Sequence, residues 1–357
     1  TLSFLPMKLI IKKSLIILIL IISLHPHNKL YSTSIEENID DFGIIGLMYH
    51  RFDENKYPST NIKIEDFKKQ LEIIEEQKIH FVNPKNFEEE LVSNKTKRKV
   101  LLTIDDAFSS FYKNAWPILN KKKIPFILFV STREVGSFNY MTWEQIKELQ
   151  KKSFVEIGNH SHTHEYLIDE SSAFINDDIK KSKRIFKDKL GMNSKFFSYP
   201  FGEYSLEFKR IIKTLDFKYA FGQHSGVIDE TKDFFELPRF PINEKYGDLK
   251  RFNTLTKTLP LKYKNLSPDE KYLTQSKNPP DVKIEFFENI KNIEKINCYS
   301  NEGNTWRNSK IDFIDKENLK ISINEKFIGE RGRINCSLRV NGGFWRWLGI
   351  QFVIAEN

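Results

Sequence analysis

Two short stretches gather residues with chemical reach. Thr103-Ile104-Asp105-Asp106-Ala107 sets two carboxylates side by side, and His160-Ser161-His162-Thr163-His164 holds three of the eight histidines of the chain. Successive side chains of an extended backbone point in opposite directions. Adjacent acids at a strand end can therefore divide the work, one binding a metal while the other faces the water that the metal holds. Alone, such a pair is more often a loop cap or a solvated turn. The histidines strengthen the metal reading, because imidazoles four residues apart in a helical turn lie on one face and can share an ion. In an extended segment His160 would pair with His162 instead. Two imidazoles and one carboxylate leave coordination positions open, which suits a first-row divalent ion that takes up water and substrate.

The elements that must position these residues alternate in type. Residues 43–49 form an aliphatic run that reads as a buried strand ending in His50, and 64–78 place Ile64, Phe67, Leu71 and Ile74 at the spacing of an amphipathic helix. Residues 99–104 read as a strand before a helix through Trp116 and Leu119. Residues 125–130 precede a helix opening at Thr142, where Gln145 completes a capping box. Strands near 154–157, 196–199 and 217–221 are separated by helices near 171–190 and 205–215. Strands separated by helices imply a parallel sheet or barrel. His50, Asp105, Asp106, His160 and His164 all fall at carboxyl ends of these strands, where a (β/α) barrel places its active site.

A chain of 357 residues has room for one large domain and a smaller module. Its formal charge of +8 comes from scattered lysines. No phosphate-binding loop or nucleic-acid motif accompanies them, so no nucleic-acid partner is expected. Lys8, Lys12 and Lys13 precede the aliphatic stretch 14–24, the pattern of a signal peptide or amino-terminal anchor over 1–32. Export to the periplasm, envelope or exterior follows, and any membrane association is expected through this segment alone. Residues 259–280 read as a linker. Beyond it, in 281–357, Ile296 and Cys298, then Ile334, Cys336, Leu338 and Val340 follow a period of two, with Asn341-Gly342 as a turn, the pattern of a small antiparallel β-sandwich. Cys298 and Cys336 are the only cysteines and are expected to pair in an exported protein.

With both motifs in view, the sequence resembles the polysaccharide deacetylases of carbohydrate esterase family 4, the NodB-homology proteins. Thr103 to Ala107 is similar to their T-F-D-D-G motif and His160 to His164 to H-[ST]-x-x-H. Tyr199-Pro200-Phe201-Gly202 resembles their third motif, and Met141-Thr142-Trp143 and Leu237-Pro238-Arg239 resemble flanking signatures. Met48-Tyr49-His50 is similar to the exopolysaccharide-deacetylase branch. The resemblance spans 43–258, within a catalytic domain drawn at 33–258. It implies an α/β fold, a distorted (β/α) barrel, with Asp106, His160 and His164 as metal ligands and Asp105 as catalytic base. The implied ion is zinc, with cobalt, nickel or iron as alternatives. The implied reaction is removal of N-acetyl groups from an acetylated polysaccharide of N-acetylglucosamine type. Ala107 departs from the motif glycine, and Ser198 stands where many members carry the arginine that orients the base, which makes Arg239 the expected substitute.

By the same resemblance the Phe201 backbone N–H would face the oxyanion, and Tyr199, Pro200 and Trp143 would line the substrate site. The leaving amine needs a proton, and a histidine suits the task. His50, at the end of the first strand, is expected to supply it, with His224 contacting substrate. Rival readings are a glycan O-acetyl esterase, which the same site could serve, and a silent glycan-binding protein, against which the complete acid and histidine set argues. In the terminal module Trp345 and Trp347 read first as sandwich core, with glycan binding or partner docking as its open roles.

Overall fold

The structure is a computed structural model that describes residues 41–355 apart from 94, 288 and 289. The segment read as a signal peptide or anchor lies outside the described residues. Among those described, no helix is long and apolar enough to cross a membrane.

The larger sheet runs Val227–Ile228, Ile44–Tyr49, Lys99–Ile104, Phe126–Val130, Val155–Asn159, Phe196–Ser198 and Tyr219–Phe221. All neighbours from Ile44–Tyr49 onward are parallel, and only Val227–Ile228 is antiparallel. Helices cross between the parallel strands, so the central strands are buried on both faces and read as continuous apolar runs. Lys99–Ile104, for example, is buried at every position. The sheet curls into a distorted barrel because one segment touches both ends: Leu237 bridges Phe221, and Phe240–Pro241 pairs in parallel with Ile44–Tyr49. Curling brings adjacent strands close at Gly158, where a Cβ would come within 2.3 Å of the Phe129 ring.

Local signals in the sequence set the helix starts. Thr142 and Gln145 form the expected capping box, with the Gln145 N–H donating to Thr142 Oγ1 at 3.3 Å and the Thr142 N–H to Gln145 Oε1 at 2.9 Å. Ser171 and Ser205 cap Ser172–Leu190 and Leu206–Thr214. Ile64–Glu76 buries Phe67, Leu71 and Ile74, the stripe that its spacing predicts.

The carboxyl-terminal region forms two further sheets around one shared core that includes Val282, Ile284, Leu319 and Ile321 from one sheet and Ile334, Leu338, Ile350 and Phe352 from the other. Two departures from expectation stand out. Residues 259–280 are built into these sheets and do not form a featureless connection. Thr258–Pro260 and Tyr272–Leu273 flank Trp345–Ile354, and Tyr263–Ser267 pairs with Val282–Phe286. The sandwich is also mixed, because Thr258–Pro260 and Tyr272–Leu273 both run parallel to Trp345–Ile354.

Cys298 and Cys336 face each other across Asn297–Ser300 and Arg331–Arg339 and are joined by a disulfide. The bridge closes a sequence separation of 38 residues, and such a closure typically stabilises by about 2–4 kcal/mol. Intact mass of the folded, air-exposed protein after iodoacetamide should show no thiol labelling. Two labelled cysteines would contradict the bridge.

Candidate active site

Asp105 continues the strand Lys99–Ile104, with its N–H donating to the Tyr49 carbonyl at 2.9 Å. The chain then turns through two left-handed residues, Asp106 at φ 73° and Ala107 at φ 56°. This turn sends the two carboxylates apart, Asp105 into the barrel and Asp106 toward the histidines. A side chain in this region costs about 1–2 kcal/mol, so Ala107 occupies a position that glycine would fill without strain. The Met141 N–H donates to the Ala107 carbonyl at 2.9 Å and holds the turn.

Asp105 is fully buried and ion-paired. Arg239, itself fully buried, donates from Nη1 to Asp105 Oδ1 at 2.7 Å and from Nη2 to Oδ2 at 2.9 Å. The guanidinium is held in turn: Nε donates to the Gly222 carbonyl at 3.0 Å, Nη1 to Thr103 Oγ1 at 3.1 Å and Nη2 to Ser198 Oγ at 2.8 Å. Ser198 thus meets the fork of Arg239, whose expected place beside Asp105 is the one observed. Burial pushes the Asp105 carboxyl up, but Arg239, His160 and His50 together outweigh it and hold the group below its ordinary value.

The histidine segment is a loop. Ser161 and His164 both have left-handed backbones, φ 69° and 54°, so the helical turn expected for 160–164 is absent. Helix Ser172–Leu190 braces this loop. The carboxylate of Asp178 accepts from the His162 and Thr163 N–H groups at 2.8 and 3.1 Å, and Ser182 Oγ donates to the Ser161 carbonyl at 3.0 Å. The result brings His160 and His164 together: each Nε2 lies 3.3 Å from Asp106 Oδ1. His162 points elsewhere, with Nδ1 2.8 Å from Thr132 Oγ1.

One potential ligand atom from each of Asp106, His160 and His164 lies within 4.8 Å of the others, a spacing that a single ion can bridge. The chemistry of the set fits. His160 Nδ1 is 2.7 Å from the Ser198 carbonyl, which can only accept, so Nδ1 carries a proton and Nε2 is the atom turned to Asp106. Burial pushes this imidazole down, but Asp106 and Asp105 outweigh it and raise the group, so binding an ion there would displace the Nε2 proton. Burial pushes the Asp106 carboxyl up, yet His164 and His160 more than offset this and hold it well below the carboxylate range. Burial pushes His164 down, toward the neutral form that a ligand requires.

A cleft of about 650 Å³ opens over this cluster, lined in part by His50, Asp106, His164, Phe201 and His224. Phe201 sits in it at φ 57°, its ring stacked on Tyr166 at 4.1 Å and 4.8 Å from the His164 ring. Burial pushes His50 down, against the pull of Asp106 and Asp105. Burial also drives His224 down to about 3, with Lys271 adding to the effect, so its imidazole is neutral at ordinary pH. Three residues expected to contact substrate are elsewhere. Tyr199 is fully buried and donates its hydroxyl to the Phe235 carbonyl at 2.9 Å, and Pro200 is buried at the turn into Phe201. Trp143 packs edge-on against Phe186 on the outer helices. The third motif therefore shapes its loop from beneath.

Sequence reading missed the far wall of the cleft, to which the sandwich contributes Trp306, Arg331, Arg333, Asn335 and Trp347. Trp347, expected in the sandwich core, is half-buried at this wall and donates Nε1–H to Ser225 Oγ at 2.9 Å. It missed the loop braces Asp178 and Ser182 as well, although two polar residues on the apolar stripe of Ile175, Ile179 and Phe186 were a usable signal.

The family model for polysaccharide deacetylase matches residues 92–220. The poly-β-1,6-N-acetyl-D-glucosamine N-deacetylase of Staphylococcus epidermidis is 25% identical over 270 residues, 67% of this chain and 93% of that protein. The protein of the same name from Staphylococcus aureus strain N315 is 28% identical over 161 residues, 42% of this chain and 56% of that one. Among solved structures, IcaB from Ammonifex degensii has a TM-score of 0.56 at 25% identity, covering 61% of this chain and 98% of its own. The Streptococcus pyogenes deacetylase PplD has a TM-score of 0.55 at 24% identity, covering 60% and 99%, and shares the fold. Residues 92–220 thus carry a match to the polysaccharide deacetylase family, and the chain as a whole is similar to proteins named as N-deacetylases of poly-β-1,6-N-acetyl-D-glucosamine.

Proposed function

We propose that the protein hydrolyses N-acetyl groups on an N-acetylglucosamine-type polysaccharide of the cell envelope or exterior, using a divalent metal, zinc first among the candidates. The observation that carries this reading is the convergence of Asp106, His160 and His164 beside an ionised, buried Asp105. The relatives named as poly-β-1,6-N-acetyl-D-glucosamine N-deacetylases support the substrate class, and export would bring the enzyme to such a glycan. When bound, the ion would polarise the acetyl carbonyl and acidify a water enough for it to react near neutral pH.

The chain's own residues divide the remaining work. Asp105 accepts the proton of the attacking water on a carboxylate oxygen, and the fork of Arg239 holds that carboxylate ionised and aimed. The backbone N–H of Phe201 is assigned to the oxyanion, on the resemblance of its motif. His50 donates a proton to the sugar nitrogen as the C–N bond breaks, releasing acetate and a free amine. His224, pushed down to about 3, is poorly suited to carry that proton and is assigned a substrate contact.

Acetate release from β-1,6- and β-1,4-linked N-acetylglucosamine oligomers tests the reading. The wild type should release acetate from at least one series. His50→Ala should retain metal and lose turnover by roughly 100-fold or more, with the alkaline limb of its pH profile removed. If His224→Ala shows that signature and His50→Ala does not, the two roles reverse.

A further inference from the structure

The wall of the cleft where the sandwich meets the barrel is strongly one-sided in charge. Among the described residues lining the cleft, Asp106 is the single carboxylate, while Lys245, Arg251, Arg331 and Arg333 bring four cations. Asp106 is committed to the histidine cluster. Arg331 is committed too, donating from Nε to Glu203 Oε1 at 2.6 Å. The other three have no carboxylate within ion-pair distance among the described residues.

Arg333 is the most telling of them. It is half-buried, its Nε donates to Gln351 Oε1 at 3.2 Å, and burial and neighbouring Arg331 both weigh against its charge. Only Glu203, already paired with Arg331, and Tyr246 weigh the other way, and a half-buried guanidinium beside a second one is costly unless a direct counter-charge joins it. Arg251 is held for a purpose as well: its Nη1 donates to the Pro241 carbonyl at 3.3 Å and to the Tyr246 carbonyl, which anchors the group at the cleft. Tyr246 carries both Lys245 and Arg251 within 5.3 Å of its ring centre. Trp306, 50% exposed on the same wall, offers an apolar face of the size of a sugar ring.

We infer that this wall is a subsite for an acidic glycan, in which Arg333, Arg251 and Lys245 hold a carboxylate or phosphate substituent while Trp306 stacks on a neighbouring sugar. Planar guanidinium groups match oxyanions with two parallel hydrogen bonds, and such charge-assisted bonds are stronger than neutral ones. The same charge repels glycan already carrying free amines, so the enzyme would select acidic stretches that still bear acetyl groups. The inference rests on the deacetylase reading and narrows its substrate.

A matched set of β-1,4-linked tetramers tests it on the full chain. One is N-acetylglucosamine throughout, the second carries 3-O-lactyl carboxylates on alternate sugars, and the third carries 6-phosphates. The wild type should favour one or both acidic tetramers by about tenfold or more in kcat/KM at low salt, and the preference should shrink as salt rises. The tetramer preferred identifies the anionic group. Arg333→Gln and Arg251→Gln should each move the ratio toward unity. Equal kcat/KM on all three wild-type reactions, or a preference that survives both substitutions, overturns the subsite while leaving the deacetylase reading intact. Acetate release from none of the tetramers and from no β-1,6 oligomer removes the deacetylase reading itself.

Discussion

Asp105→Asn protein is expected to keep its metal and lose about 10²–10⁴-fold in turnover, the range a positioned general base supplies. An amide cannot accept the proton of the attacking water. The substitution also disturbs the fork, because the amide NH₂ must face one of the Arg239 nitrogens that now donate to Oδ1 and Oδ2. Thermal stability should therefore fall together with activity, and rates should be compared where circular dichroism shows the variant folded. Metal content separates the roles within the acid pair. Turnover near wild type, or loss of metal from Asp105→Asn, would mean that Asp105 and Asp106 are interchanged.

Arg239→Met is expected to destabilise the protein by about 3–5 kcal/mol, the usual result of removing one partner of a buried ion pair. Both side chains are 0% exposed, so no solvent reaches the stranded carboxylate. The direction with pH follows from the depressed Asp105 group. Its stabilising share is present above the ordinary carboxylate range and is lost as pH falls through the folded-state value. Arg239→Met should abolish that share and shift the acidic limb of the activity profile upward. Arg239→Lys keeps a charge but not the fork, and should recover only part of either property. Denaturant melts at neutral pH check the first claim: a change under 1 kcal/mol would show that the pair does not hold the site together.

Much of the site was legible because its residues lie at strand ends, and strands buried on both faces declare themselves as apolar runs. His50 and Asp105 each follow such a run, while His160 follows the shorter, mixed strand Val155–Asn159. Helix starts were legible for a local reason, since Thr142, Ser171 and Ser205 satisfy backbone donors within three residues. The histidine loop was not, because its shape depends on Asp178 and Ser182 of a helix a dozen or more residues away. The strands within 259–280 escaped notice because Thr258–Pro260 and Tyr272–Leu273 are too short to show a period of two, and Tyr263–Ser267 buries only Leu266 and does not alternate. Tyr199 looked like a substrate contact because an aromatic beside a motif carries no mark of which way it points, and here it points into the core. The cleft wall lay furthest from reach, since Arg333 and Asp106 are brought to one cavity only by the packing of sandwich on barrel.

The central claim is that Asp106, His160 and His164 hold a catalytic metal. Elemental analysis of the purified wild type beside His160→Ala, His164→Ala and Asp106→Ala, with acetate release assayed on the same samples, tests it most directly. The wild type should carry about one equivalent of a divalent metal. Each variant should fall well below that and lose acetate release in step with the metal. Full metal occupancy in all three variants, or undiminished acetate release from metal-depleted protein, would contradict the account.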